Sequence, residues 1–161
     1  MNLDELYQHG QEAAKHLFDK QGELTPMWLC IDDKGELIPI CIPMTERGTR
    51  DALADALRKV LKEMKTVRYV SMVEAWALKG KIEDGMPESV RQGASISSHP
   101  DRMEVIYIIA EDIDGQTRSG MYHILRPERG KAVLSPYEDY GDNQHEGRFT
   151  NLLSPPSSCL N

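Results

Sequence analysis

MEVIYIIAEDIDGQTRSGMYHILR, Met103 to Arg126, has the pattern of a β-hairpin. Two runs rich in β-branched and aromatic residues flank Asp114-Gly115, a dipeptide that favours a two-residue hairpin turn. Counting outward from this turn gives the expected cross-strand pairs: Ile113–Gln116, Glu111–Arg118, Ile108–Met121, Tyr107–Tyr122 and Ile106–His123. In this register His123 lies diagonal to Glu104, so we expect a His–Glu pair on a half-buried face.

A second hairpin pattern, MWLCIDDKGELIPICIP, lies upstream at residues 27–43. Gly35 is expected to supply the left-handed residue of a three-residue turn. The resulting pairs are Asp32–Glu36, Cys30–Ile38 and Met27–Cys41. The two cysteines should therefore point to opposite sides and form no disulfide. Because Pro39 and Pro43 cannot donate ladder hydrogen bonds, this strand is expected at the sheet edge.

Apolar residues at helical spacing predict two amphipathic helices. The first covers about residues 3–20 and ends at Gly22. The second follows a candidate N-cap at Thr49, because a threonine side chain can accept a hydrogen bond from the first turn. Its expected buried stripe is Leu53, Leu57, Val60, Leu61 and Met64.

The run VSMVEAWALKG, Val70 to Gly80, belongs to a third strand at about residues 67–78. Both of its faces are largely apolar, which predicts a central position in the sheet. KAVLS, beginning at Lys131, gives a last short strand. The predicted order is helix-β-β-helix-β-β-β-β: an α+β domain with a mainly antiparallel sheet of five to six strands and two helices packed on one face. Residues 1–140 form this single domain, and residues 141–161 are expected to be a loosely ordered polar tail.

Composition limits the class of protein. The chain has 161 residues, a formal net charge of −7 and three scattered cysteines. No apolar stretch approaches the ~20 residues that a membrane helix needs, and the cysteines suit neither a disulfide framework nor a zinc cage. We therefore expect a cytoplasmic protein with no membrane partner. The acidic balance also argues against direct nucleic-acid binding, which needs clustered Lys and Arg.

Glu74 is a carboxylate within an otherwise apolar strand. Burying a charge without a partner is costly, so we expect an arginine to neutralise it. Arg102 is the favoured partner, because it starts the neighbouring strand. The alternative is that Glu74 serves a site beneath the connection at residues 79–101.

Such a site would use four titratable residues, namely Glu74, His99, Asp101 and His123. SSHP, Ser97 to Pro100, resembles the H-x-H-P element of JAMM-type zinc isopeptidases. Ser97 stands in place of the first histidine ligand, and the downstream Ser-x-x-Asp positions hold Tyr107 and Ala110. We therefore reject membership of that family but keep a small hydrolase, with or without a metal, as an alternative. No other metal, nucleotide or nucleophile motif is present, so no metal and no cofactor are expected.

The run YEDYGDNQHE, Tyr137 to Glu146, carries four acidic residues and could dock on a basic surface. The leading hypothesis is a protein-interaction module without catalysis, of adaptor or inhibitor type. It would bind a protein partner or itself through the sheet edge, the 79–101 connection and the acidic run. The expected binding residues are Arg102, Glu104, Glu138, Asp139 and Asp142. A third hypothesis is a small-molecule sensor with a pocket between the helices and the sheet.

Overall fold

The computed structural model describes residues 1–43, 50–78, 100–142 and 149–153. These residues form two helices and seven strands, in the order α1 (Leu3–Gln21), β1 (Met27–Asp32), β2 (Leu37–Cys41), α2 (Arg50–Glu63), β3 (Thr66–Ala77), β4 (Met103–Asp112), β5 (Thr117–Leu125), β6 (Val133–Leu134) and β7 (Glu138–Gly141). The predicted α+β class and antiparallel sheet are confirmed. β7 has no counterpart in the predicted order, because its sequence EDYG lacks the apolar alternation of a strand.

The sheet has the strand order β2-β1-β3-β4-β5-β6, and β7 pairs with β5 as well. All pairs are antiparallel. β3 therefore lies between β1 and β4, as its two apolar faces predict, and β2 lies at the edge. The edge position agrees with Pro39 in the middle of β2, because proline has no N–H to donate.

The two helices cover opposite faces of the sheet, whereas the prediction put both on one face. α1 packs on the face that carries Val70 and Met72 of β3. The neighbouring residue Tyr69 points the other way and packs with Leu57 and Leu61 of α2. Successive strand residues alternate between faces, so a strand that is apolar on both sides needs a cover on each side.

The ends of α1 agree with its sequence. Asn2 and Glu5 form a capping box at the start, and Gly22, with φ of 75°, ends the helix. In α2, the buried stripe runs through Leu57 and Leu61 as predicted, but Val60 is 40% exposed. The predicted N-cap Thr49 lies outside the described residues.

The β1–β2 hairpin has the predicted register. Cys30 lies opposite Ile38, and Met27 lies opposite Cys41. Cys30 is buried, Cys41 is exposed, and both thiols are free. Burial raises the pKa of the Cys30 thiol to about 12, so this thiol is held in its unreactive neutral form.

The predicted register of the β4–β5 hairpin is wrong by one residue. Tyr107 lies opposite Met121, and Val105 lies opposite His123. The turn contains three residues rather than two, because the Asp112 N–H donates to the Gln116 carbonyl oxygen (3.1 Å) and closes the ladder there. A slip of one residue moves each side chain of one strand to the other face relative to its partner strand.

Gly120 of β5 allows β7 and the residue before it to approach closely. A Cβ atom at this position would lie 2.4 Å from the Glu138 carbonyl oxygen and 2.5 Å from the Tyr137 hydroxyl oxygen. Because Gly120 has no side chain, Tyr137 can pack across β5 at this point. Its hydroxyl oxygen lies 2.6 Å from that of Tyr7 on α1. The small residue therefore lets the start of β7 connect β5 to α1.

Residues 149–153 pack on the α2 side of the sheet, although they fall in the predicted loose tail. Leu152 is 2% exposed. The Phe149 ring meets the Trp28 ring edge-on at 5.5 Å. The Asn151 N–H donates to Glu111 Oε1 at 2.9 Å. This segment therefore adds to the core, while the remaining tail residues, 154–161, lie outside the described residues and the boundary at residue 140 stays a prediction.

Neither helix is long and apolar enough to span a membrane, within the part of the chain that the structure describes.

Candidate functional site

An open groove of about 510 Å³ lies where β3 ends and β4 begins. Four residues that the sequence predicts as site residues line it: Arg102, Glu104, His123 and Glu138. Trp76, Leu125 and Arg126 line it as well. The groove therefore combines a tryptophan and aliphatic side chains with charged groups of both signs.

The apolar part of the groove is exposed to solvent. Trp76 is 40% exposed and Leu125 is 51% exposed. Val133, which is 48% exposed, pairs with Leu125 across β5 and β6. The Arg102 guanidinium lies over the Trp76 ring, 4.8 Å from its centroid, in a cation–π contact. These exposed apolar side chains were not predicted. Trp76 follows the face of Glu74 and Leu125 the face of His123, so the groove extends around the end of the sheet where β3 and β5 end.

An ion pair between Glu104 and Arg126 borders the groove. Arg126 Nε donates to Glu104 Oε2 at 2.5 Å. The side chains are 26% and 54% exposed, so solvent screens the pair, and such pairs contribute at most about 1 kcal/mol to stability. Its main effect is to orient the two charged groups at the rim.

His123 pairs with Glu138 and not with Glu104, so that prediction is wrong. His123 Nε2 lies 3.2 Å from Glu138 Oε1, and the Tyr140 hydroxyl donates to Glu138 Oε2 at 2.8 Å. The reason is the register of β4 and β5, which directs His123 and Glu104 to opposite faces. Burial and the bond to Glu138 raise the pKa of Tyr140, which keeps the phenol protonated as a donor.

Glu74 is held by the backbone and not by Arg102, which contradicts the predicted pair. The Leu24 N–H donates to Glu74 Oε1 at 2.6 Å. No ion pair joins Glu74 to Arg102 among the described residues. Burial raises the pKa of Glu74, while the Leu24 N–H and the charge of Arg126 act in the opposite direction. The sequence does not reveal this partner, because the α1–β1 connection supplies it from a distance of fifty positions along the chain.

The predicted catalytic group is not assembled by the strands. Glu74 pairs with Ile106, and Ile106 pairs with Tyr122, so these three side chains share a face. His123, the next residue after Tyr122, therefore projects from the other face. Asp101 is exposed, and His99 lies outside the described residues.

Two predicted binding residues, Asp139 and Asp142, lie along β7 and its end rather than in the groove. The Asp139 carboxylate accepts from the Gly141 N–H at 2.7 Å and from the Tyr7 hydroxyl at 3.4 Å. The Asp142 carbonyl oxygen accepts from the Thr117 hydroxyl at 3.3 Å. Both residues are exposed, and their bonds connect β7 and its end to α1 through Tyr7 and to β5 through Thr117.

A buried carboxylate that the sequence analysis did not single out is Glu111, which is 6% exposed. It accepts from the Tyr69 hydroxyl at 2.5 Å and from the Asn151 N–H at 2.9 Å. Burial raises the pKa of Tyr69 well above its ordinary value, and the adjacent Glu111 carboxylate raises it further. Glu111 thus joins residues 149–153 to the sheet, which is a structural role. The sequence predicts Glu111 opposite Arg118, whereas it lies opposite Thr117 in the observed register.

No group of three or more His, Cys, Asp or Glu side chains is placed to hold a metal ion within the described ranges. Comparisons of the chain with protein-family models, with curated proteins and with solved structures found no match. Any functional assignment must therefore come from the chemistry of the surface itself.

Proposed function

We propose that this chain is a protein-interaction module that acts without catalysis, and that its partner binds at the groove. The groove combines two exposed apolar side chains, Trp76 and Leu125, with Arg102 and the Glu104–Arg126 pair. Tryptophan and arginine are among the residues most enriched where binding energy concentrates in protein interfaces, and such surfaces typically combine apolar and polar groups.

The observation that carries this proposal is the exposure of Trp76, which contrasts with the burial of the other tryptophan, Trp28. Trp28 is fully buried and packs against Phe149, so it contributes to folding. Trp76 leaves 40% of its surface in solvent, although it lies on the central strand. Exposed apolar clusters on a folded chain commonly mark interaction sites, since burying them on binding recovers hydrophobic free energy.

The carboxylates and bases of the groove favour binding over catalysis because they are engaged with one another. Arg126 is paired with Glu104, and Glu138 accepts from Tyr140 while contacting His123. A general acid or base must instead be directed at a substrate. The paired charges suit a rim that fixes the orientation of a partner.

The groove is a better docking surface than the sheet edge. A hydrogen bond from the Ile42 N–H to the Pro26 carbonyl oxygen (3.1 Å) fixes which backbone groups of β2 face β1. By alternation, the backbone groups of Leu37, Pro39 and Cys41 point away from β1. Pro39 has no N–H, so the middle of this edge cannot complete a ladder with another strand, and proline at such a position protects an edge from pairing.

The experiment that tests the proposal is selection of a phage-displayed library of random linear peptides on the immobilised protein. Peptides enriched on the wild type should bind Trp76→Ala at least about tenfold more weakly, because truncation of a central interface tryptophan typically has an effect of that size. Far-UV circular dichroism should show that the variant stays folded, since the side chain is exposed. Val60→Ala is a matched control, because Val60 is equally exposed at 40% but lies on α2.

In this experiment the control variant should bind the enriched peptides as the wild type does. The proposal would be contradicted if the enriched peptides bound wild type and Trp76→Ala with equal affinity. It would also be contradicted if selection on the wild type enriched no peptides relative to selection on Trp76→Ala. Fluorescence provides a second readout, because Trp76 is the accessible indole and Trp28 is buried. A bound peptide should shift the emission of the wild type to shorter wavelength.

The hydrolase alternative receives no comparable support from the described residues, because Glu74 and His123 project from opposite faces of the sheet. The sensor hypothesis placed its pocket between helices and sheet, where Leu6 and Phe18 of α1 are fully buried in the core. A cytoplasmic location remains part of the proposal, supported by free thiols at Cys30 and Cys41.

A further inference from the structure

The two hairpin loops of the sheet have the same backbone structure. In the β1–β2 loop, the Asp32 carboxylate accepts from the N–H groups of Lys34 and Glu36 at 2.9 and 2.8 Å. Gly35 has φ of 84°. Its N–H donates to the Asp32 carbonyl oxygen at 3.1 Å.

The β4–β5 loop repeats each of these features. The Asp112 carboxylate accepts from the N–H groups of Asp114 and Gln116 at 3.0 and 2.9 Å. Gly115 has φ of 82°, and its N–H donates to the Asp112 carbonyl oxygen at 3.2 Å. Each loop can therefore be used as an internal control for the other.

The second position of the loop differs: it is Asp33 in one hairpin and Ile113 in the other. Turn positions favour Gly, Pro, Asn, Asp and Ser, whereas β-branched residues favour strands. Ile113 is 61% exposed, so it adds little to the core. Because Asp33 supports the same backbone, neither the turn nor the core requires an isoleucine at this position.

Ile113 is also held more firmly than its counterpart. Its N–H donates to the Val67 carbonyl oxygen at 2.9 Å. Val67 lies at an irregularity of β3, between Thr66, which pairs with Asp32, and Arg68, which pairs with Ile31. A backbone hydrogen bond to the central strand fixes the loop tip, and a contact group that is already fixed loses little entropy on binding.

We propose that Ile113 is an anchor that inserts into an apolar pocket of a partner protein whose rim carries Lys or Arg. Single exposed aliphatic residues are common and need no explanation by themselves. Here the backbone N–H of the residue is bonded to the central strand, its type is disfavoured by its turn position, and two carboxylates, Asp112 and Asp114, flank it in sequence. Arg68, which lies opposite Asp112 across the β3–β4 ladder, donates to the Met1 carbonyl oxygen at 2.7 Å. The loop therefore presents an exposed apolar side chain between two acidic residues.

This surface is separate from the groove. The loop joins the end of β4 to the start of β5, whereas the groove lies where β3 ends and β4 begins, at the opposite end of the same strands. The inference shares with the proposed function the premise that the chain binds a protein. If one of the two surfaces binds no protein, binding at the other surface can still be tested.

Site-specific photocrosslinking in cells of the source organism tests the inference. The photoreactive residue p-benzoylphenylalanine is introduced in place of Gln116, an exposed residue at the end of the loop, so that Ile113 and both carboxylates stay intact. The matched control carries it in place of Glu36, the equivalent position of the other loop. We expect an adduct with a different protein from position 116 and none from position 36. Adding Ile113→Asp to the position 116 protein should abolish that adduct.

The crosslinked protein, once identified and purified, should bind Ile113→Asp at least about tenfold more weakly than wild type, as for other central interface anchors. Its affinity for the wild type should also fall as salt is added, because rim charges are screened. An absent adduct, an adduct that survives Ile113→Asp, or an adduct only between two copies of this chain would each overturn the inference. Affinity that is independent of salt would overturn the basic rim. None of these results would alter the peptide binding expected at Trp76.

Discussion

The two hairpin loops differ in their surroundings although they share one backbone structure. The β1–β2 loop lies next to the sheet edge, and its Asp33 faces Lys65. The β4–β5 loop is tied to the central strand through the Ile113 N–H. An aspartate at the first position and a glycine at the fourth specify the loop in both hairpins. The comparison teaches that the shared loop structure accepts different side chains at its second position, so this structure alone does not select the isoleucine.

The largest expected effect comes from removing the aspartate that organises each loop. Asp32→Ala and Asp112→Ala each leave two backbone N–H groups without their acceptor. Asp32 is 8% exposed, so we expect a loss of about 2–3 kcal/mol there, and about 1 kcal/mol for Asp112, whose N–H groups can bond to water. Equilibrium urea unfolding measures both values.

The controls for this prediction are Asp33→Ala and Asp114→Ala, which remove exposed carboxylates of the same loops. Their unfolding free energies should stay within about 0.5 kcal/mol of wild type. If Asp112→Ala had no effect while Asp32→Ala did, the two loops would not be held by the same interactions.

A smaller effect is expected from the glycines at the fourth position. A Cβ atom at Gly35 or Gly115 would meet no other atom within 4 Å. The cost of Gly35→Ala and Gly115→Ala is therefore backbone strain from positive φ, about 1 kcal/mol in each case. Urea unfolding should give two equal losses. A difference of more than about 0.5 kcal/mol, beyond the usual uncertainty between independent sites, would show that the loops are not equivalent.

The same two loops show what the sequence can and cannot predict about this fold. Gly35 led to the correct three-residue turn in the first hairpin. In the second, the dipeptide Asp114-Gly115 suggested a two-residue turn, although Asp112 precedes Gly115 by the same three positions that separate Asp32 from Gly35. The acceptor that sets loop length is the earlier aspartate, since its side chain bonds the backbone two and four residues ahead. Comparing the two segments with each other would have given the right register.

The candidate site was predictable only in part, for reasons that follow from long-range packing. Arg102, Glu104, His123 and Glu138 stand out in the sequence, and they line one groove. Their pairings did not follow, because a register error of one residue moves His123 to the wrong face. The partner of Glu74 comes from Leu24 in a distant connection, and no local pattern indicates it. The exposure of Trp76 depends on where β3 ends relative to β5 and β6, which the sequence alone does not specify.

The smallest expected effect tests the central claim most directly: the fold does not require an isoleucine at position 113. Equilibrium urea unfolding should give Ile113→Asp a free energy of unfolding within about 0.5 kcal/mol of wild type, with an unchanged dependence on urea. Asp33→Ile, the reciprocal change in the other loop, should be equally neutral, since that position is exposed and shares the same backbone. A loss of more than about 1.5 kcal/mol in Ile113→Asp, the scale of burying an aliphatic side chain, would show that Ile113 packs for stability and would contradict its assignment as a binding anchor.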